Sequence, residues 1–230
     1  MKKKKNVWDE GRWANQEEIH FDYMTYNIFE KIKKRIKIKN KNFIELGSGL
    51  GRLSYLCAKK SAKKITLVDN SEKAIALSKK FFLKKKIINF KLIKQNILNL
   101  KKIDKYDVVF SSGVIEHFKK KNRFLIIKKH IDLCKRDCLI IHPSDNLYNK
   151  LFNNFPPAVK LYGFQKSFSK SEIEEYLHRL TGIKKIEHEQ FHFFYTVPIL
   201  HNIKWLNNFI DKFKILKYFS GLTITHVKLQ

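Results

Sequence analysis

From residue 41 onward the chain alternates short apolar runs with helix-length amphipathic segments. Residues 43–46, 64–68, 88–93, 106–111 and 138–142 have the length and apolar density of strands. Residues 52–60, 71–85 and 119–135 repeat apolar side chains three and four positions apart and predict helices. Strand and helix units of this size imply parallel strands joined by right-handed crossovers, with helices on both faces of one sheet. Unbroken apolar stretches at 108–110 and 139–141 suit strands covered from both sides. The predicted fold class is α/β.

Residues 16–37 predict a further helix, in which Ile19, Tyr23, Tyr26, Ile28, Phe29, Ile32 and Ile36 form one apolar stripe opposite a basic face. After His142 the alternation pauses in a loop-rich stretch, 143–167, with Pro156, Pro157 and many aromatics. A helix then starts at Ser169 or Ser171 as cap, with Glu172 in its first turn and Gly182 just past its end. A strand over 186–197, a break at Pro198, a helix over 199–219 and a last strand over 222–229 complete the pattern. The chain thus divides into a basic tail and N-terminal lid helix, 1–40, and one domain, 41–230, with insertions at 143–168 and 198–220.

Apolar residues at 43% and aromatics at 13% of 230 residues supply a substantial core and exclude a disordered chain. Forty-eight basic against 21 acidic side chains leave a formal charge of +27, which favours anionic partners. Only six of the basic residues are arginine, the fork best matched to phosphate and base edges, and the lysines form no ordered stripe. A nucleic-acid acceptor is therefore admitted but not favoured. Cys57, Cys134 and Cys138 are odd in number and lack a second ligand pair, so they read as reduced thiols, with no metal expected. The lysine run at 2–5 leads into a polar stretch with no signal-peptide core, and no run approaches a spanning helix, so no transmembrane segment and a cytoplasmic location are expected.

The candidate chemistry begins at FIELGSGLGR, residues 43–52, a strand ending in three glycines at alternate positions before a helix. Glycine at 47 permits a tight turn, at 49 lets backbone approach a ligand, and at 51 clears the helix start, whose free N–H groups favour negative charge. Asp69 closes the next strand twenty residues on, where a carboxylate can accept both hydroxyl hydrogens of a ribose. The spacing departs from GxGxxG, which disfavours a nicotinamide dinucleotide, and there is no GK[ST] of a P-loop.

ELGSGLG, LVDNSEKAI, QNILNL, YDVVFSSGVIEHF and KSFSKSEIEEYLHRLTGI, in that order over about residues 40–196, resemble the class I S-adenosylmethionine-dependent methyltransferases. The resemblance implies a Rossmann-like, doubly wound, seven-stranded and mostly parallel sheet, with the site beyond the carboxyl ends of its strands. It implies S-adenosylmethionine as cofactor and S-adenosylhomocysteine as product. Glu45, Gly47, Ser48, Gly49 and Gly51 match the glycine loop beneath the methionine part, with Glu45 orienting the loop or the amino group. Asp69 matches the ribose ligand and Asn70 would flank the adenine. Asn96 and Ile97 stand where many relatives have an aspartate on the adenine amine, so an amide replaces it here. Ser111 and Ser112 would end the fourth strand near the sulfonium.

Methyl transfer from a sulfonium asks mainly for alignment and exclusion of water, and for a base only where the accepting atom must lose a proton. His117, in the turn after the fourth strand, is the candidate catalytic base; the competing reading makes Glu116 and His117 a brace for the next helix. His142 and His192 are lesser candidates. Trp13, His20 and Tyr23 from the N-terminal lid, and His142, Tyr148 and Tyr162 at and after the fifth strand, are the expected acceptor-binding residues. The apolar stripe at 199–219 could pack on the domain, pair two subunits as a homodimer, or contact an anionic membrane. The expected function is methyl transfer to a small or medium acceptor, oxygen before nitrogen. The alternatives are an RNA or protein methyltransferase and a non-catalytic cofactor-binding subunit.

Overall fold

The computed structural model describes Trp8, residues 18–100 and 104–193, Ile203, Trp205, Leu206, Phe209 and residues 220–230. Trp13 and most of the helix expected over 199–219 lie outside the described residues, as does most of the basic tail.

Helix α1 (Tyr23–Arg35) precedes β1 (Asn42–Leu46), α2 (Arg52–Lys59), β2 (Lys64–Asp69), α3 (Glu72–Lys84) and β3 (Phe90–Lys94). There follow β4 (Tyr106–Ser112), α4 (Lys120–Asp132), β5 (Cys134–Pro143), α5 (Leu147–Asn153), α6 (Pro156–Tyr162), α7 (Lys170–His178), β6 (Ile183–Phe193) and β7 (Ser220–Leu229). Short 3₁₀ turns at Ile97–Asn99 and Ile115–His117 follow β3 and β4. The seven strands form one sheet in the order β3-β2-β1-β4-β5-β7-β6. Neighbours from β3 to β5 run parallel, and β7 lies antiparallel between β5 and β6. This is the Rossmann-like, mostly parallel arrangement expected, with the order reversing between β1 and β4.

Alternation along each strand divides the core in two. Phe43, Ile65, Leu67, Val108, Phe110 and Leu139 face Ile28, Phe29 and Ile32 of α1, Leu53 and Cys57 of α2, and Phe82 of α3. Their neighbours Ile44, Leu46, Val68, Val109 and Ile140 face Ile126, Ile127 and Ile131 of α4 and Ile173 and Leu177 of α7. With both faces covered, the strands read in sequence as continuous apolar runs rather than alternating ones.

Element ends follow their caps. Helix α1 begins at Tyr23, later than the apolar stripe alone predicts, because Asp22 Oδ1 accepts from Thr25 N at 2.8 Å. Helix α4 stops at Asp132, short of the predicted end, since Cys134 already pairs with Tyr106 in β5. Between Ser169 and Ser171, Ser169 caps α7, accepting from Glu172 N at 3.1 Å. The stretch read as loop contains two short helices: Asn146 caps α5, and Pro156 and Pro157 occupy the first turn of α6, where missing N–H groups are harmless. No described helix is long and apolar enough to cross a membrane.

Candidate active site

The turn after β1 is held open by backbone that only glycine adopts readily. Gly47 and Gly51 have φ of +66° and +68°. A Cβ on Gly47 would lie 2.5 Å from Val114 Cγ2, and one on Gly51 2.3 Å from Leu67 Cδ2, so both positions also lack room. Behind the turn, Glu45 Oε2 accepts from Ser54 N at 3.2 Å and from Ser54 Oγ at 2.5 Å, tying β1 to the first turn of α2. Burial pushes the Glu45 carboxyl up to about 8, although the Ser54 hydrogen bonds pull the other way. Ser48 N bonds Val68 O at 3.0 Å, and Ser48 Oγ is buried without a hydrogen-bond partner among the described residues.

Asp69, at the end of β2, is 8% exposed. Its two carboxylate oxygens accept from Gly49 N at 2.7 Å and Ser71 N at 2.8 Å, so the second strand holds the glycine turn in place. Exposed Asn70 follows it. Asn96 uses its side-chain oxygen to cap the 3₁₀ turn, accepting from Leu98 N at 2.9 Å, while Ile97 beneath it is buried. The amide at this position thus has a local structural bond to keep, which sequence reasoning did not anticipate.

Across the reversal point, Ser112, Gly113 and Val114 leave β4 and lead to Glu116 and His117. His117 Nδ1 donates to Phe164 O at 2.9 Å, which assigns the proton to Nδ1 and leaves Nε2 the basic nitrogen of the neutral ring. The Trp8 ring meets His117 edge to face at 4.8 Å. Glu116 is 2% exposed, and burial pushes its carboxyl up to about 8.

These groups surround one cavity of about 340 Å³ lying over the carboxyl ends of the central strands. Of the expected residues, Glu45, Gly47, Ser48, Gly49, Asp69, Asn70, Asn96, Ile97, Ser112, His117 and Tyr162 line it. Gly51 stands behind the turn against Leu67 rather than in the wall. Ser111 points the other way: its hydroxyl bonds His130 Nε2 at 2.8 Å under the sheet. His20 is exposed, with its carbonyl on Arg52, and Tyr23 packs on His192 at 5.7 Å between ring centres. His142 turns into the core, donating from Nδ1 to Pro143 O at 3.0 Å, and burial lowers its pKa to about 4. Tyr148, on α5, is not among the lining residues, and its hydroxyl is buried. The cavity adds residues not anticipated, including Trp8, Met24, Gln95, Glu116, Phe118 and Gln165. No apolar period or spacing marks such residues; only the closure of the chain over the strand ends brings them together. Among the described residues no cluster of His, Cys, Asp and Glu could hold a metal, and all three cysteines are free and buried.

The strand order, the glycine turn after β1, the carboxylate after β2 and a cavity at the reversal point define a class I S-adenosylmethionine-dependent methyltransferase. A family model described as "Methyltransferase domain" matches residues 37–179, and the chain belongs to that family. It is 27% identical over 158 residues to "Ribosomal RNA small subunit methyltransferase D" of Buchnera aphidicola, covering 68% of this chain and 79% of that one. It is 46% identical over 48 residues to "Putative protein N5-glutamine methyltransferase" of Methanocaldococcus jannaschii, a match of 21% of this chain that spans only 24% of that relative's length. Among solved structures, magnesium protoporphyrin IX methyltransferase from Synechocystis PCC 6803 with bound S-adenosylhomocysteine shares the fold, with a TM-score of 0.63 at 15% identity over 97% of this chain and 93% of that one.

Proposed function

We propose that this protein transfers the methyl group of S-adenosylmethionine to a small or medium acceptor, with oxygen preferred to nitrogen as the accepting atom. The observation that carries the reading is that a single cavity runs from Asp69 and Asn70 at one end to Glu116, His117 and Tyr162 at the other. The residues present fit the cofactor: the Asp69 carboxylate stands in the cavity wall beside the glycine turn, its oxygens oriented by Gly49 N and Ser71 N. When bound, S-adenosylmethionine supplies a methyl group already activated on a sulfonium.

The chain's own part is to bind, align and keep water out. Asp69 accepts from the ribose hydroxyls, already fixed by Gly49 and Ser71. Asn70 and Ile97 flank the base. Glu45 holds the loop through Ser54 rather than through solvent-facing charge. His117, with its tautomer set by Phe164 O, takes the proton of the acceptor at Nε2 where one must leave. Trp8 and Tyr162 cover the acceptor.

Calorimetric titration with S-adenosylhomocysteine, against NADH in the same buffer, tests the cofactor. Saturable binding of the first alone is expected; binding of NADH alone, or of neither, overturns the reading.

A second reading, methylation of RNA, is favoured by the +27 charge and by the ribosomal RNA methyltransferase among the relatives. It requires binding to a structured RNA that weakens steeply with salt, as released counterions dictate. Binding that is absent at 50 mM salt, or insensitive to salt, removes it.

A further inference from the structure

Helix α5 is amphipathic in the reverse sense. Its buried residues are polar, Asn149 and Asn153, while Leu147 and Leu151, four apart on one face, are 73% and 66% exposed. Hydrogen bonds hold it that way round: Asn149 Nδ2 donates to Ser144 O at 2.8 Å and to Gly221 O at 3.1 Å, and Asn153 Nδ2 donates to Ser167 Oγ at 3.2 Å. The spacing recurs at α6, where Phe155 and Val159 are exposed and Ala158 is buried. Contact between the Phe152 and Tyr162 rings, 6.4 Å between centres, joins the two helices, and exposed Phe164 follows them. Apolar side chains gathered outward in one short segment mark a surface that meets something other than water.

The charge around these side chains says what it is. Between 145 and 168, Lys150, Lys160 and Lys166 stand against one acid, Asp145, which pairs with Lys150 at 3.2 Å. Lys119, the first of three consecutive lysines, places Nζ 5.9 Å from the centre of the Phe164 ring. A second copy of a chain with a formal charge of +27 would set lysine against lysine. Leucine and valine offer a nucleic acid neither a stacking face nor a hydrogen bond. We infer that α5 and α6 dock on an anionic lipid surface, with Leu147, Leu151, Phe155 and Val159 entering the acyl boundary and the lysines meeting the headgroups. Because α6 ends at Tyr162, which lines the cavity, docking sets the cavity beside that surface. The inference concerns the insertion after β5 and stands independently of the acceptor and of the methyltransferase reading above.

The test is co-sedimentation of the full chain with vesicles of phosphatidylcholine, alone or with about 30% phosphatidylserine, at about 0.15 M salt. The wild-type protein is expected to sediment with the anionic vesicles and much less with the neutral ones. Leu151→Ser/Phe155→Ser leaves the charge unchanged and touches only exposed side chains, so the protein should stay folded by circular dichroism while its partition coefficient falls at least about tenfold. Lys150→Gln/Lys160→Gln should lower it about fivefold or more. Failure of the wild-type protein to bind anionic vesicles overturns the inference. So does undiminished binding of the serine variant, which would reduce the effect to adsorption of a basic chain. A wild-type dimer that the serine variant dissociates, or an RNA whose binding that variant alone loses, would give the surface to a different occupant and overturn it equally.

Discussion

The backbone N–H of Gly49 donates to Asp69 Oδ2 over 2.7 Å, a contact between residues twenty apart that joins the turn after β1 to the end of β2. With Ser71 N on the other oxygen, the carboxylate is oriented before any ligand arrives. Orientation in advance spares the binding step the entropy of ordering that side chain. The same contact makes the glycine turn and the carboxylate proposed to hold the ribose a single mechanical unit.

Replacing Asp69 by Ala should therefore weaken S-adenosylhomocysteine binding by about 2–4 kcal/mol, through lost ribose contacts and a loosened turn together. Asp69→Asn should retain part of it, since an amide oxygen still accepts from Gly49 N. Calorimetry beside circular dichroism reads both. Wild-type affinity in a folded Asp69→Ala protein would remove the residue from the cofactor site.

Backbone conformation and crowding can be separated at three glycines. Gly51→Ala forces φ +68° on alanine and sets its Cβ 2.3 Å from Leu67 Cδ2 in the core, and Gly47→Ala meets Val114 at 2.5 Å. Gly182 has φ +79° but nothing within 4 Å. Gly182→Ala should cost about 1 kcal/mol from strain alone. The other two should cost about 2–4 kcal/mol, adding overpacking. Urea denaturation of the three variants checks the order, and equal losses would show that crowding contributes nothing.

Arg123 is a buried fastener between α4 and the segment leading to α7. It is 2% exposed, and its guanidinium carbon lies 3.4 Å from the centre of the Phe168 ring. Burial raises the pKa of Glu172, but the Arg123 hydrogen bonds and charge outweigh this and hold it below the usual carboxylate range. Arg123→Leu should destabilise by about 3–5 kcal/mol, and Arg123→Lys should recover little, because lysine lacks the fork that meets two carboxylate oxygens and two carbonyls. Because this segment carries Phe164 O, both variants should also disturb the His117 ring signal in NMR spectra. An unmoved His117 would mean the two are independent.

Stability should depend on pH with a recognisable sign. Glu45 and Glu116 titrate at about 8 in the folded chain against a usual 4.5, so the unfolded chain sheds their protons first, and stability falls as pH rises between these values. His130 and His142, lowered by burial to about 4 from 6.5, act oppositely: their contribution is complete above 6.5 and is lost as pH falls towards 4. Between pH 6.5 and 8 the carboxyls alone should govern, each by on the order of 1–2 kcal/mol. Melting temperature should drop over that interval, and Glu116→Gln should roughly halve the drop. An identical pH profile in the variant would contradict the carboxyl's raised pKa.

The strand and helix alternation, the glycine turn and Asp69 were legible in the sequence because each is a local statement. A buried parallel strand must be apolar throughout, a positive φ against a packed neighbour selects glycine, and a carboxylate one strand later lies within reach of that turn. Periodicity carried less about the insertion after β5, where prolines that open α6 read as loop breakers, and nothing about which face of a strand a side chain takes when both faces are buried. Ser111 and Ser112 are adjacent and chemically alike, yet the pleat sends one hydroxyl to His130 and the other to the cavity. His117 follows β4 and His142 stands near the end of β5, yet one lines the site and the other is sealed in the core beside Phe168. The sequence offers Glu116 only as a brace, because the lack of a hydrogen-bond partner for Oε2 among the described residues depends on packing, in which Arg123 is fastened to Glu172. Local chemistry is written along the chain; burial and the supply of hydrogen-bond partners come from segments far apart in it, and only packing determines those.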